Sequence, residues 1–172
     1  MKKFELTTEF ITNMFGKKLF RIKALVEFGH VKAGELGGYV EKEENVSQDG
    51  NAWVSGDAWV SGNAKVSGNA KVYGNAKVYG NAWVSGNAKV YGNAKVYGNA
   101  WVSGNAWVSD DAEVSGDAEV YGDAWVYGNA KVYGNAEVSG GAWVYGNAWV
   151  SGNTELCIST GLRNKIPMHN FL

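Results

Sequence analysis

One six-residue unit, repeated without interruption, dominates this sequence. From Gly50 to Cys157 the chain reads as 18 consecutive copies of G-[ND]-A-[WKE]-V-[SY], with no insertion or deletion. Each of four positions in this hexad departs from its consensus only once, at Asp110, Gly141, Thr154 and Leu156. A period this short and this strict restricts the chain to an architecture that stacks many copies of one small unit.

Each hexad predicts a short β-strand followed by a corner. Because side chains alternate between the two sides of a strand, Ala and Val point one way, and the residue between them points the other way with the Ser or Tyr that follows. Gly adopts positive φ without steric cost and Asn tolerates unusual backbone angles, so the Gly-Asn pair predicts a turn. A helix is excluded, since the period of 3.6 is absent and each recurring Gly would destabilise a helix by about 1 kcal/mol.

A short strand cannot bury its Ala/Val side alone, so the hexads are expected to stack. Stacking coil on coil buries that side continuously and pairs the backbone with the coils above and below, which predicts an all-β parallel β-solenoid. Three hexads per coil give a triangular prism of six coils, roughly 29 Å long; two per coil are the alternative. A three-hexad coil places Trp83 against Trp101, Trp107 against Trp125, and Trp125 against Trp143, whereas a two-hexad coil aligns no Trp pair. This comparison favours the triangle.

The pattern V-[SY]-G-[ND]-A-x over residues 50–157 resembles the hexapeptide repeat of left-handed parallel β-helix proteins. The resemblance implies a left-handed coil, although parallel crossovers are otherwise almost always right-handed. The stretch RIKALVEFGHVKAGELGGYVEKEENVSQDGNAWV, residues 21–54, also resembles the N-terminal region of uncharacterised, prophage-associated hexapeptide-repeat proteins that carry a transferase label.

The segments outside the repeat, residues 1–49 and 158–172, predict caps for the two ends of the solenoid. Apolar residues alternate along two N-terminal stretches, which predicts a β-hairpin that covers the first coil. These residues are Phe4, Leu6, Phe10 and Met14 in the first strand, and Phe20, Ile22, Ala24, Val26 and Phe28 in the second. Val40 and Val46 then predict an imperfect first coil. Residues 158–172 form either a second cap or a disordered tail.

Aromatic side chains on the outer walls are the feature that a function has to explain. All eight Trp and eight of the nine Tyr occupy outward positions of the hexads or follow Val, and soluble monomers rarely expose such ladders. Three explanations stay open: stacking within the chain that stabilises the wall, burial in a homo-oligomer, or binding of a glycan or nucleotide ligand. The candidate interaction residues are Trp53, Lys71, Tyr73, Trp83, Lys89, Tyr91, Trp101, Trp107, Trp125, Tyr127, Trp143 and Tyr145.

Charge is distributed unevenly along the solenoid axis. Residues 50–103 carry five lysines and one aspartate, a net charge of +4, whereas residues 104–157 carry one lysine and eight carboxylates, a net charge of −7. An antiparallel homodimer would set basic coils against acidic ones, which a two-fold interface achieves automatically; a trimer is the alternative. The total charge of −1 argues against nucleic acid as a partner, and no apolar run or signal sequence indicates a membrane or secretion, so a cytoplasmic protein is expected.

The repeats contain few residues that could carry out catalysis. The resemblance implies that a hexapeptide acyl- or acetyltransferase would carry a histidine base on a coil and a projecting loop, but both histidines, His30 and His169, lie outside the repeats and no loop interrupts a coil. Cys157 has no catalytic partner in the sequence. We therefore expect a non-catalytic structural or interaction protein without cofactor or metal, with the acyltransferase as the alternative.

Overall fold

In the computed structural model, which describes residues 1–158, each hexad contributes a short strand that pairs in parallel with the strand three hexads further along the chain. The amide of Trp53 donates to the carbonyl of Ala70 over 3.1 Å, and that of Ser55 to Val72 over 2.9 Å. The same pattern continues to the last coil. Three hexads therefore make one coil, as the Trp spacing predicts, and the chain is a parallel β-solenoid of about seven turns. The left-handed sense of the coil stays a prediction from the resemblance.

The strands lie in three sheets, which define three faces of the prism. Face 2 is a nine-stranded sheet made of β1 (Phe4–Thr12), β2 (Lys18–Ala24), β3 (Leu36–Val40), β5 (Trp59–Val60), β8 (Lys77–Val78), β11 (Lys95–Val96), β14 (Glu113–Val114), β17 (Lys131–Val132) and β20 (Trp149–Val150). Face 1 consists of β4 (Trp53–Val54), β7 (Lys71–Val72), β10 (Lys89–Val90), β13 (Trp107–Val108), β16 (Trp125–Val126) and β19 (Trp143–Val144). Face 3 consists of β6 (Lys65–Val66), β9 (Trp83–Val84), β12 (Trp101–Val102), β15 (Glu119–Val120), β18 (Glu137–Gly140) and β21 (Glu155–Ile158).

The interior of the prism is filled by the two apolar positions of the hexad. From Ala52 to Val150, each Ala and Val at these positions is buried. The small Ala and the β-branched Val fit a narrow interior in which neighbouring coils are only about 4.8 Å apart. The alternation predicted from the sequence therefore separates the core from the walls, where the variable residues lie.

The corners of the prism explain why Gly recurs. The glycines at the first position of the hexad have positive φ, for example +70° at Gly116, where an added Cβ would lie only 2.9 Å from the amide nitrogen of Gly134 in the next coil. Asp110 is the one non-Gly residue of the described chain with positive φ, at 57°, and its carboxylate accepts a hydrogen bond from the amide of Gly128 over 3.0 Å. Next to each Gly, the Asn side chains form the ladders expected of this column, as between Asn51 and Asn69 over 2.9 Å.

An imperfect coil precedes the repeats, as predicted. Residues of β3 lie beneath the first coil, with Val40 paired to Val60. A 3₁₀ helix over Glu43–Asn45 follows, and Val46 forms a parallel bridge to Val66. The first hexads therefore rest on a turn of solenoid that lacks the consensus sequence.

The predicted N-terminal hairpin is present, but its strands and its apolar side differ in detail. The second strand ends at Ala24, so Val26 and Phe28 lie in the following loop rather than in the strand. A register shift follows Leu6, and beyond it Phe10 and Met14 are exposed. Phe10 pairs with Phe20, which in turn pairs with Val40, so Phe10 stays on the core side of the sheet but is not covered, and Met14 lies in the turn after β1.

At the N-terminal end of the solenoid, two polar side chains donate hydrogen bonds to backbone carbonyls that have no preceding coil to pair with. The buried Nζ of Lys3 donates to the carbonyl of Ala52 over 2.9 Å and to that of Gly50 over 3.4 Å. The amide nitrogen of the Asn45 side chain donates to the carbonyls of Ala64 and Gly62 over 2.9 and 3.1 Å. These bonds satisfy acceptors that in every inner coil would bind the amides of a preceding coil.

The Lys3 cap predicts a specific pH dependence. Burial lowers the pKa of Lys3 from its ordinary value of 10.5 to about 8. Because the unfolded chain holds this proton more tightly, the contribution of Lys3 to stability rises as the pH increases from about 8 towards 10.5. We expect Lys3→Met to lower the free energy of unfolding by about 1–3 kcal/mol through the loss of two hydrogen bonds to carbonyls, and the gap between wild type and variant to widen by roughly 1–2 kcal/mol between pH 8 and 9.5.

Urea denaturation at pH 7, 8 and 9.5 measures this gap. The matched control is Lys23→Met, which removes an exposed lysine of the same hairpin and should leave a small difference that does not change with pH. Equal pH profiles for the two variants would contradict the assignment of Lys3.

Within residues 1–158, no helix is long and apolar enough to cross a bilayer. The predicted cap or tail over residues 158–172 lies outside the described residues, apart from Ile158, which ends β21.

Candidate interaction surface

Two of the eight tryptophans are covered by the N-terminal segment. Trp53 and Trp59 lie on the outer wall of the prism but are only 4% and 5% exposed. Phe4 and Phe28 contact Trp53 edge-on, with ring centroids 6.2 and 5.3 Å away, and Leu19 packs in one cluster with Trp59. The prediction that Trp53 belongs to an open interaction surface is therefore wrong, because the hairpin and the loop after it already occupy that part of face 1.

On face 1, the remaining predicted residues form a column in which rings stack along the axis. Three tryptophans stack with centroid separations of 4.6 Å and 5.4 Å. Two tyrosine pairs stack beside them at 4.9 Å and 5.4 Å, and the ammonium of Lys89 lies 4.3 Å from the ring centroid of Trp107. The column consists of Lys71, Tyr73, Lys89, Tyr91, Trp107, Trp125, Tyr127, Trp143 and Tyr145. Most of these side chains are half-buried, and Trp143 at the C-terminal end is exposed.

This stacking accounts for part of the aromatic surface of face 1. Cross-strand aromatic pairs contribute to the stability of a sheet without any partner. Burial within the stacks also raises the pKa of the Tyr73 and Tyr127 hydroxyls above the ordinary value. Of the three explanations for the outward rings, stacking within the chain therefore holds for much of face 1.

Face 3 leaves its aromatic pair more open. Trp83 and Trp101 stack at 5.2 Å and are 39% and 47% exposed. Lys65 precedes them in the column, with its ammonium 5.5 Å from the Trp83 ring centroid. Glu119 and Glu137 follow the tryptophans, stacked on each other in register. Face 3 thus changes from basic to aromatic to acidic along its length.

On face 2, charged side chains of neighbouring coils form ion pairs with each other. The ammonium of Lys95 donates to the Glu113 carboxylate over 2.9 Å, and that of Lys131 lies 3.9 Å from it. The hydrogen bond from Lys95 holds the pKa of Glu113 below its usual range, while the same bond raises the pKa of Lys95. At the end of this face Trp149 is 63% exposed, the most open Trp of the described chain. Trp149 is not among the interaction residues predicted from the sequence, although its position in the hexad is the same as that of the other tryptophans.

A cleft of about 580 Å³ opens where the loop after the hairpin overhangs face 1. Its walls include His30 and Glu35 from the loop and Lys71, Tyr73 and Lys89 from the solenoid. The side chain of His30 is exposed, and no residue of the described chain holds it in place by a hydrogen bond. Lys71 and Lys89 bring two positive charges to this cleft, and Glu35 brings a negative one. His169 lies outside the described residues, and Cys157 is exposed.

The fold and these open faces define the protein as a β-solenoid repeat protein. Four segments of the array match the family model described as the YdcK Beta solenoid repeat, at residues 70–86, 88–104, 94–110 and 130–146. All four matches begin at the Ala of a hexad, at intervals that are multiples of six, and together they cover about a third of the chain. No curated protein matches the chain. The similarity supports a repeat β-helix family, and the finer resemblance to hexapeptide-repeat proteins of prophages stays a prediction.

Proposed function

We propose that this protein is a non-catalytic structural and interaction module that self-associates through its open aromatic faces as an antiparallel homodimer. The single observation that carries the proposal is the exposure of Trp83, Trp101, Trp143 and Trp149 on the walls of an otherwise closed prism. Fully covering one Trp removes about 150–250 Å² of surface from water, worth several kcal/mol at about 25 cal/mol per Å². The resemblance of residues 21–54 to prophage-associated proteins adds a phage or prophage origin to this proposal.

The charge distribution supports the antiparallel sense. The first three regular coils are basic and the last three are acidic. Two copies related by a two-fold axis across the solenoid direction bring opposite charges together twice, whereas parallel copies would set like charges side by side. Such pairing strengthens association at low ionic strength.

Sedimentation velocity at micromolar concentration tests the proposal. We expect a dimer in about 0.1 M salt and a weaker dimer in about 1 M salt, where the Debye length falls to about 3 Å and exposed charges are screened. The hydrophobic part of the interface should persist at high salt. A monomer under both conditions would refute self-association.

A small-molecule function is the second candidate, and the cleft beside face 1 is the observation that favours it. Lys71 and Lys89 offer positive charge there, and Tyr73 offers a ring on which a planar base or a sugar could pack. Saturation-transfer NMR with a nucleoside monophosphate and with a neutral oligosaccharide distinguishes the two ligand classes. Calorimetry with acetyl-CoA tests the acyltransferase alternative, for which we expect no binding.

A further inference from the structure

The structure singles out face 3 as a self-complementary surface. Along the axis, its outward column contains Lys65, Trp83, Trp101, Glu119, Glu137 and Glu155 in this order, one residue per coil. Lys65 and Glu119 make no ion pair within the described chain. A basic residue and an acidic stretch therefore flank an exposed pair of indoles on one wall.

The strip beside the indoles is also open on this face. The residues that follow Val in the first three coils of face 3 are Ser67, Ser85 and Ser103. At the corresponding positions of the second and third coils, faces 1 and 2 carry tyrosines that stack on each other. Serine is much smaller than tyrosine, so the wall beside Trp83 and Trp101 has room for indoles from another molecule.

The other two faces lack this combination. On face 2, Glu113 already pairs with Lys95 and contacts Lys131. On face 1 the outward column carries lysines and tryptophans but no carboxylate, and its rings stack along most of its length. Exposed aromatic surface and unpaired charges of both signs therefore coincide on face 3 of the described chain.

We infer that the occupant of face 3 is a second copy of this chain, bound antiparallel across a two-fold axis that passes midway between Trp83 and Trp101. This inference rests on the proposed self-association and specifies its interface. Reversing the column brings the two indole pairs against each other and sets Lys65 of each copy against the Glu119–Glu137 stretch of the other. A parallel copy in register would instead set Lys65 against Lys65 and Glu119 against Glu119, which is repulsive.

Charge reversal tests the inference because Lys65 and Glu119 lie three coils, about 14 Å, apart within one chain. One variant carries Lys65→Glu and the other carries both Glu119→Lys and Glu137→Lys. Each variant alone sets like charges across the antiparallel interface, so we expect its dimer dissociation constant in about 0.1 M salt to rise at least about tenfold. An equimolar mixture should form heterodimers of wild-type affinity, because every facing pair is then of opposite charge.

Matched variants on the other faces separate failure of this inference from failure of the proposed function. Trp101→Ala should weaken the dimer by at least about tenfold, whereas Trp149→Ala on face 2 and Lys71→Glu on face 1 should not weaken it. All five variants change surface side chains, and circular dichroism verifies that each is folded. A wild-type dimer that is insensitive to the face 3 changes, or variants whose mixture stays monomeric, would overturn the inference and leave self-association standing. A monomeric wild type would overturn both.

Discussion

Replacing Phe4 with Ala should lower the free energy of unfolding of the N-terminal cap by about 3–5 kcal/mol. Phe4 is fully buried and its ring contacts Trp53 edge-on, so the change leaves a cavity under the hairpin. In a solenoid each unit contacts only its neighbours, so the loss should stay near the first coils. Hydrogen exchange measures it directly: amides of β1 and β2 should exchange much faster, and those of β12 should be unchanged.

Phe10→Ala is the matched control for this experiment. Phe10 lies in the same strand and loses the same atoms, but it is 46% exposed. We expect a loss of about 1 kcal/mol or less, because an exposed ring leaves no closed cavity. Equal losses for the two variants would mean that the hairpin does not pack on the solenoid through Phe4.

Placing a methyl group at a corner of the prism should have an effect of similar size. Gly116→Ala forces an L-residue to keep a φ of +70° and brings its Cβ to 2.9 Å from the amide nitrogen of Gly134. The positive φ costs about 1–2 kcal/mol and the contact with backbone adds about 1–3 kcal/mol. We expect a total loss of about 2–5 kcal/mol in urea denaturation followed by circular dichroism.

Gly146→Ala separates the two contributions. Its φ is +66°, but no atom of the described chain lies within 4 Å of an added Cβ. This variant should lose only the roughly 1–2 kcal/mol that belongs to the backbone conformation. If it lost as much as Gly116→Ala, close stacking of the coils would not be the reason for Gly at this position.

The repeat made most of the fold predictable. Alternation of Ala and Val around one variable residue, with Gly at each corner, determines the strand, the turn and the inward side, and the alignment of Trp83 with Trp101 selects three hexads per coil. The details of the hairpin could not be derived in the same way. The bulge after Leu6 and the end of the strand at Ala24 depend on how this segment packs on the solenoid, and local alternation does not carry that information.

The sequence predicts which face each candidate side chain lies on, but it does not predict how exposed that side chain is. Each outward Trp lies on the wall that its hexad predicts, yet Trp53 and Trp59 are buried because a segment distant in sequence covers them. The roles of Lys3 and Asn45 gave no sequence signal, since a lysine near the start of a chain and an asparagine before Val46 are unremarkable alone. Only the stacked coil shows which carbonyls need a donor.

The uniform coil also determines how the length of this protein can change. Every inner coil makes the same bonds upward and downward, so an insertion or deletion of three consecutive hexads leaves both ends and all three columns in place. A change of a single hexad preserves the local strand and turn but moves every later side chain to the neighbouring wall. Made between Trp101 and Glu119, such a change would move Glu119 out of the column that holds Lys65, Trp83 and Trp101. The array can therefore gain or lose whole coils without changing which side chains share a face, whereas gain or loss of one or two hexads would place later side chains on a different face.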